Sequence, residues 1–281
     1  MYIVPFGEQS PRVTLLQVLL NSHSCVGADR KRLTVDGIYG RNTRAAVSSA
    51  SRLMGVGDQT GKAATPPLIK TLLEDVDLMV ITSVDLGDAA LQDDVKVFIS
   101  NLDDPIVLGG MCNGLLEMVR QVQGRAQAGR VATLRLDGHG NLGRWLTISV
   151  GDIADLKGRA YEEIAAEEMS YISSTNFDKV KTVIEPLGRI FAPYGFAEHL
   201  GCTLGAKPLT RAMLRKLADL WGVPIRVGIQ TQPIGSPLTI HGPAFTAFPK
   251  GHTLLSWSKQ FQKLDLPGVS RLQTAAFAHG P

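Results

Sequence analysis

Between residues 78 and 229 short apolar runs alternate with stretches of helical periodicity, and this alternation restricts the fold more than any other feature of the 281-residue chain. Leu78-Met-Val-Ile, Pro105-Ile-Val-Leu and Val131-Ala-Thr-Leu-Arg-Leu read as buried strands. Phe196 to Leu200 reads as another, and Ile225, Val227 and Ile229 alternate with smaller or polar residues as a half-buried strand does. Helical patterns lie between them. Asn113 caps one with Leu115, Met118, Val119 and Val122 inward. Residues 160–192 read as largely helical with a break near Pro186, and Thr210 opens a helix with Met213, Leu214, Leu217 and Trp221 on one side. Such alternation implies an α/β fold with a mostly parallel sheet flanked by helices. Chemistry is then expected just beyond the carboxyl ends of the strands.

The first 56 residues follow a different pattern. Val13, Leu16, Leu19 and Leu20 give one apolar helix face, and Thr43 caps a second helix carrying Ala46, Val47, Ala50 and Leu53. Asp36-Gly37 is turn chemistry between them. Val13-x-x-Leu16-Gln17-x-x-Leu20-Asn21, followed by Val35-Asp36-Gly37-Ile38-Tyr39-Gly40-x-x-Thr43-x-x-Ala46-Val47, resembles the peptidoglycan-binding-like domain of bacterial and phage cell-wall proteins over residues 10–56. The family usually continues with an aromatic residue and Gln where this chain has Ala50 and Ser51. The resemblance implies a small all-α domain, peptidoglycan as a partner, and Asp36, Gly37, Tyr39, Gly40 and Thr43 as the wall-binding-like motif. Most of these residue types build turns and caps, so they diagnose a fold more directly than a ligand. Residues 57–75 have the Gly/Pro/polar composition of a linker, which gives domains at 1–56 and 76–281.

Two strand ends carry reactive side chains: Asp137-Gly-His-Gly-Asn-Leu-Gly143 and His199-Leu-Gly-Cys-Thr-Leu-Gly205. Glycines let the backbone approach a substrate closely and leave N–H groups free to donate. A thiol and an imidazole on neighbouring strand ends form a dyad in which the His takes the thiol proton and later protonates the leaving amine. His139 precedes Cys202 by 63 residues, an order opposite to that of papain-like peptidases. A strand ending in His-Gly, followed by a later strand ending in Gly-Cys, resembles the caspase-like cysteine peptidases over roughly residues 76–232. The resemblance implies a caspase-like sheet with Cys202 as nucleophile, His139 as general acid/base, and an oxyanion hole from the N–H groups of Gly140 and Cys202. It implies a protein or peptide substrate. Two departures stand out: Leu-Gly-Cys-Thr-Leu-Gly replaces the sequence of true caspases, and Glu198 and His199 interrupt an otherwise apolar strand.

Around this pair, Asp137, Asn141, Cys112, His199 and His241 are cleft candidates. Asp137 either selects a cationic substrate side chain or caps the turn; Cys112 is the rival thiol, and His199 either orients or replaces His139. Cys25 reads as inert, and His23, His252 and His279 as surface or loop residues. The aromatic segments Phe245–Phe248 and Trp257–Phe261 either border a cleft or cover a sheet edge.

Several classes are disfavoured. Three cysteines cannot staple a chain of this length, and their odd number leaves a free thiol. Twenty-nine Lys and Arg against 26 Asp and Glu give +3 with no basic block, so no nucleic-acid partner is expected. No run approaches the roughly 18–20 apolar residues of a span, so no membrane insertion is expected. The N-terminus shows no basic leader before an apolar run, which makes cytoplasmic location the default, with export by a signal-independent system as the other route. The Gly-rich loops lack phosphate-loop and dinucleotide patterns, so no cofactor is expected. Two alternatives stay open: a non-catalytic scaffold that docks on peptidoglycan or a protein, and a zinc-dependent wall amidase using His139, His199 and Cys202. No His-x-x-x-His or Cys-x-x-Cys spacing supports the metal.

Overall fold

The computed structural model of the chain describes residues 1–86, 89–109, 113–140, 145–150, 169–233, 235–264 and 266. The chain divides into two compact units, one made of Met1–Met79 together with the segment from His252 onward, the other of Val80–Gly251.

In the first unit β1 (Val4–Pro5) pairs antiparallel with β2 (Ala63–Ala64), beside helices α1 (Pro11–Ser22), α2 (Arg41–Met54), α3 (Pro66–Glu74) and α8 (Leu254–Lys259). The sequence predicts one apolar face for α1, but nearly the whole helix is buried, including Arg12, Thr14, Gln17 and Asn21. Burial of those polar groups is tolerable because each is bonded. Thr14 meets Ser258 at 2.6 Å, Asn21 exchanges two bonds with the backbone of Leu33, and Arg12 donates to the Ile3 carbonyl.

Residues 57–75 are not a linker. They hold β2 and α3, whose Leu68, Ile69, Leu72 and Leu73 are buried, so the division falls after Met79. The composition misleads because Pro66 and Pro67 open a helix rather than break one. The segment after Gly251 belongs to the first unit and not to the α/β unit: Trp257 and Phe261 are buried and meet edge-to-face at 5.3 Å, and Gln262 accepts from Val35 N–H.

The second unit carries a six-stranded sheet in the order β10-β9-β8-β5-β3-β4, formed by β3 (Met79–Asp85), β4 (Ile106–Leu108), β5 (Val131–Asp137), β8 (Phe191–His199), β9 (Ile225–Gly228) and β10 (Ala244–Ala247). The pairs β3/β4, β5/β8 and β8/β9 are parallel, and the edge strand β10 runs antiparallel to β9. The α/β, mostly parallel expectation therefore holds. Helices α4 (Ala89–Ser100), α5 (Gly114–Arg125), α6 (Phe177–Ile184) and α7 (Pro208–Trp221) flank it, and the apolar faces of α5 and α7 are the expected ones. Leu91 and Phe98 of α4 pack with Val84, Leu200 and Ile240 beneath the ends of β3 and β8.

Two local expectations need correction. Within 160–192, the described part from 169 onward contains a buried strand, β7 (Tyr171–Ser173), which pairs antiparallel with β6 (Trp145–Thr147), then α6, a 3-10 turn at Glu185–Arg189, and the start of β8. Asn176 ends the strand by bonding Ser173 N–H and the Tyr171 carbonyl. Helix α2 begins at Arg41 with Gly40 as N-cap, because the Thr43 hydroxyl is spent on the Ile38 carbonyl and the Gln17 amide.

Candidate active site

Strands β5 and β8 are neighbours, and their parallel register sets Leu136 opposite His199. His139 lies three residues beyond the first and Cys202 three beyond the second, so both leave the sheet at the same level of the same end. The two connections touch. A Cβ on Gly140 would overlap the carbonyl of Cys202 and come within 2.8 Å of its N; one on Gly201 would lie 2.6 Å from the Gly138 carbonyl and 2.7 Å from Gly140 N. At these positions glycine is required by space alone. His139 and Cys202, both half-buried, line one cavity of about 70 Å³ with Asp137, Asp94, Gln232 and Ser236.

The turn bearing Cys202 is tightly held. Leu200 N–H donates to the Leu136 carbonyl, Thr203 N–H to Gln230, and Gly205 N–H to Gly228. Thr203 takes φ +55°, a left-handed conformation that is unfavourable for a β-branched residue and concentrates backbone strain next to the thiol. The Cys202 sulfur accepts the Gln232 N–H at 3.3 Å and lies 3.9 Å from the Gln232 carbonyl, so one backbone segment fixes its position. Gln232 is itself fixed through its side chain, which accepts from His241 N–H and donates to the Gln230 and His241 carbonyls. His241 thus works one step behind the cavity wall, its Nε2 2.9 Å from the Ser236 hydroxyl.

His199 does not replace His139. Its ring is fully buried, Nδ1 accepts the Gly201 N–H at 3.0 Å, and Nε2 faces the Thr147 carbonyl at 3.4 Å. That pairing requires the neutral tautomer with the proton on Nε2. Burial above all, with His139 nearby, pushes its pKa down to about 4. The role left to it is orientation of the Gly201-Cys202 turn.

Asp137 is buried at the end of β5, and its pKa is pushed up to about 8 by burial first, then by the charge of Asp94, with Arg135 opposing. Glu198, which looked like an interruption of β8, lies in register between Arg135 of β5 and Arg226 of β9. It meets Arg226 at 3.1 Å and Arg135 at 3.7 Å, all three being buried. Arg135 also stacks 5.1 Å over Phe98 and donates to the Pro237 carbonyl, tying the ladder to the cavity wall.

Cys112 and Asn141 lie outside the described residues, as does His279. Cys25 is buried, with its thiol pushed up to about 12 by burial, which leaves it unreactive. His23 is not a surface residue: it is buried, with Nδ1 2.8 Å from the Leu19 carbonyl and Nε2 3.4 Å from Asp75. Asp94 and Gln232 were missed by sequence reasoning. Asp94 did leave a signal, an acid on the helix stripe shared by Leu91 and Phe98; Gln232 left none.

In the first unit the wall-binding-like motif is used internally. Asp36 Oδ1 accepts from Gln17 and from Ile38 N–H, Gly37 takes φ +75°, and the buried Tyr39 hydroxyl donates to the Gly61 carbonyl. Beside this turn lies a depression of about 330 Å³ lined by Thr34, Asp36, Gly40, Arg41, Asn42 and Thr43, among others.

No protein-family model matches the sequence, and no curated protein matches it significantly. Among the described residues no helix is long and apolar enough to cross a membrane, and no group of three or more His, Cys, Asp or Glu is arranged to hold a metal ion.

Proposed function

We propose that the protein is a cysteine peptidase of caspase-like type, acting through Cys202 and His139. The supporting observation is the equal offset of the two residues from a paired register position, with their connections in backbone contact around one cavity. In the reaction His139 takes the thiol proton, and the thiolate carbon–sulfur bond forms at the scissile carbonyl. The carbonyl oxygen gains charge opposite the N–H groups of Gly140 and Cys202. The C–N bond then breaks, the amine leaves with the proton from His139, and a thioester remains. Water attacks the thioester, His139 again accepting the proton, and the acid leaves as the thiol is restored. For the first unit peptidoglycan stays the proposed partner, at the polar depression beside Asp36 and Asn42. The zinc amidase reading loses support because His199 presents neither ring nitrogen to the cavity that holds Cys202.

Alkylation of the native full-length chain tests the dyad. Iodoacetamide is expected to modify Cys202 far faster than Cys25, and His139→Ala to slow Cys202 alone by about tenfold or more. Equal, slow modification of Cys202 with and without His139 overturns the reading.

A further inference from the structure

Two buried carboxyl side chains, Asp94 and Asp137, line the cavity beside Cys202, and among the described residues no Lys or Arg lines it. Asp85 and Glu198 are buried too, as are Arg135 and Arg226. Glu198 is matched by the two arginines. Asp94 lines the cavity from α4 and holds the Gly235 N–H on Oδ1 at 2.8 Å, and Asp85 accepts from Val150 N–H. Asp137 differs from the others: only 4% exposed and lining the cavity, it has an Oδ2 with no hydrogen-bond partner. A buried carboxyl oxygen without a partner is costly, and a ligand group that bonds it removes that cost.

We propose that this cavity receives the substrate side chain next to the scissile carbonyl and that it selects a basic one, lysine or arginine, whose cation pairs with Asp137 beside Asp94. The proposal rests on the assignment of Cys202 as nucleophile. The remaining walls suit the stem of such a side chain, since Leu91, Leu200, Pro233 and Pro237 are apolar and Thr239 and Ser236 lie among them. An acidic side chain would meet Asp94 and Asp137 with no Lys or Arg in the lining to pair with it. An apolar one would leave the Asp137 Oδ2 without a partner. The groups facing Asp137 are Asp94 from α4, Asp85 from β3 and Arg135 from its own strand. Burial holds Asp137 protonated up to about pH 8, and an ammonium or guanidinium brought into contact favours its ionised form. Binding therefore releases a proton, and the pair that forms is a buried one.

The experiment uses four peptidyl acyloxymethyl ketones that differ only in the residue adjoining the ketone: Lys, Arg, Leu or Asp. Each alkylates by thiolate displacement of the carboxylate, which leaves a thioether on Cys202 that mass spectrometry locates. The Lys and Arg probes are expected to react with Cys202 roughly tenfold or more faster than the Leu probe, and the Asp probe slowest. Their relative rates separate lysine from arginine. In Asp137→Asn the basic-to-Leu ratio falls toward one. Asp94→Asn lowers the same ratio and serves if the first variant does not fold. Equal rates for all four probes, with His139-dependent modification intact, overturn the pocket and leave the dyad standing. Failure of both basic probes to reach Cys202 overturns the pocket as well, and loss of His139-dependence with iodoacetamide overturns pocket and dyad together.

Discussion

Gly201 donates its backbone N–H to Nδ1 of His199 across 3.0 Å, inside a fully buried pocket one residue before Cys202. A protonated ring could not accept this bond, and burial already opposes the charge. His199 is bound to protons in the unfolded chain below its ordinary value of 6.5 but not in the folded chain until about 4. Stability is therefore fully present above pH 6.5 and falls as the pH drops toward 4, at up to about 1.4 kcal/mol per pH unit. His199→Phe removes that slope and leaves the Gly201 N–H without an acceptor, at a cost of about 1–3 kcal/mol at pH 7. Urea denaturation between pH 4 and 7.5 checks both, and an unchanged slope in the variant refutes the assignment.

Asp137 carries the opposite linkage. The folded protein holds its proton up to about pH 8, whereas the unfolded chain loses it near 3.8, so its contribution is present at low pH and is lost as the pH rises through this window. Asp94, Asp85 and Arg135 are the charges that set its value. Asp137→Asn removes the penalty without changing shape. The variant is expected to gain stability relative to the parent as pH rises from 4 to 8, read as a growing difference in Tm. A difference independent of pH contradicts the burial of this carboxyl. A site that is destabilising in isolation is what function would impose rather than folding.

The sheet and most of its helices were legible because apolar periodicity survives in the chain: Met213, Leu214, Leu217 and Trp221 could only face inward. The level at which His139 and Cys202 leave the sheet was also accessible, since glycines punctuate both strand ends. Three things were hidden for physical reasons. A proline pair inside a Gly-rich stretch reads as a linker, yet Pro66 starts a buried helix. Return of Trp257 and Phe261 to the first unit depends on contacts more than two hundred residues apart, such as Thr14 with Ser258, that no local pattern encodes. Glu198 reads as a defect in an apolar strand until register places Arg135 and Arg226 on either side.

That ladder yields a third expectation. Glu198→Gln leaves two buried guanidinium groups facing one neutral amide, and removing one member of a buried ionic set costs about 3–5 kcal/mol. Arg135 also holds the Pro237 carbonyl, so the loss propagates to the cavity wall. Thermal denaturation should show a Tm far below the parent, with slower Cys202 alkylation in whatever folded protein remains. A loss under 1 kcal/mol would mean that the triad is paired elsewhere.

The glycine contacts give a paired test. Gly140→Ala drives a Cβ into the backbone of Cys202, which cannot yield as a flexible side chain would. Alkylation of Cys202 should fall even where the variant folds, because the two connections must separate. Gly124 in α5 has open space around its missing Cβ. Gly124→Ala should raise stability by about 0.5–1 kcal/mol through helix propensity alone and leave Cys202 reactivity as it was. Equal behaviour of the two variants would remove the steric argument for the site.

The C-terminal helix supplies the last expectation. Trp257 of α8 is 5% exposed, meets Phe261 edge-to-face, and lies beside Ser258, whose hydroxyl bonds Thr14 in the first turn of α1. Leu254 packs over Gly37, close enough that a Cβ there would come within 2.6 Å of its Cδ1. A fragment ending at residue 56 or 79 therefore lacks part of its own core. Trp257→Ala is expected to cost the first unit about 3–5 kcal/mol, because a large buried ring leaves a cavity that its neighbours only partly fill. Hydrogen exchange reads this directly: the amides of Val13 to Leu20 in α1 should lose protection in the variant. Protection unchanged from the parent would show that α8 contributes no stability to the helices it covers.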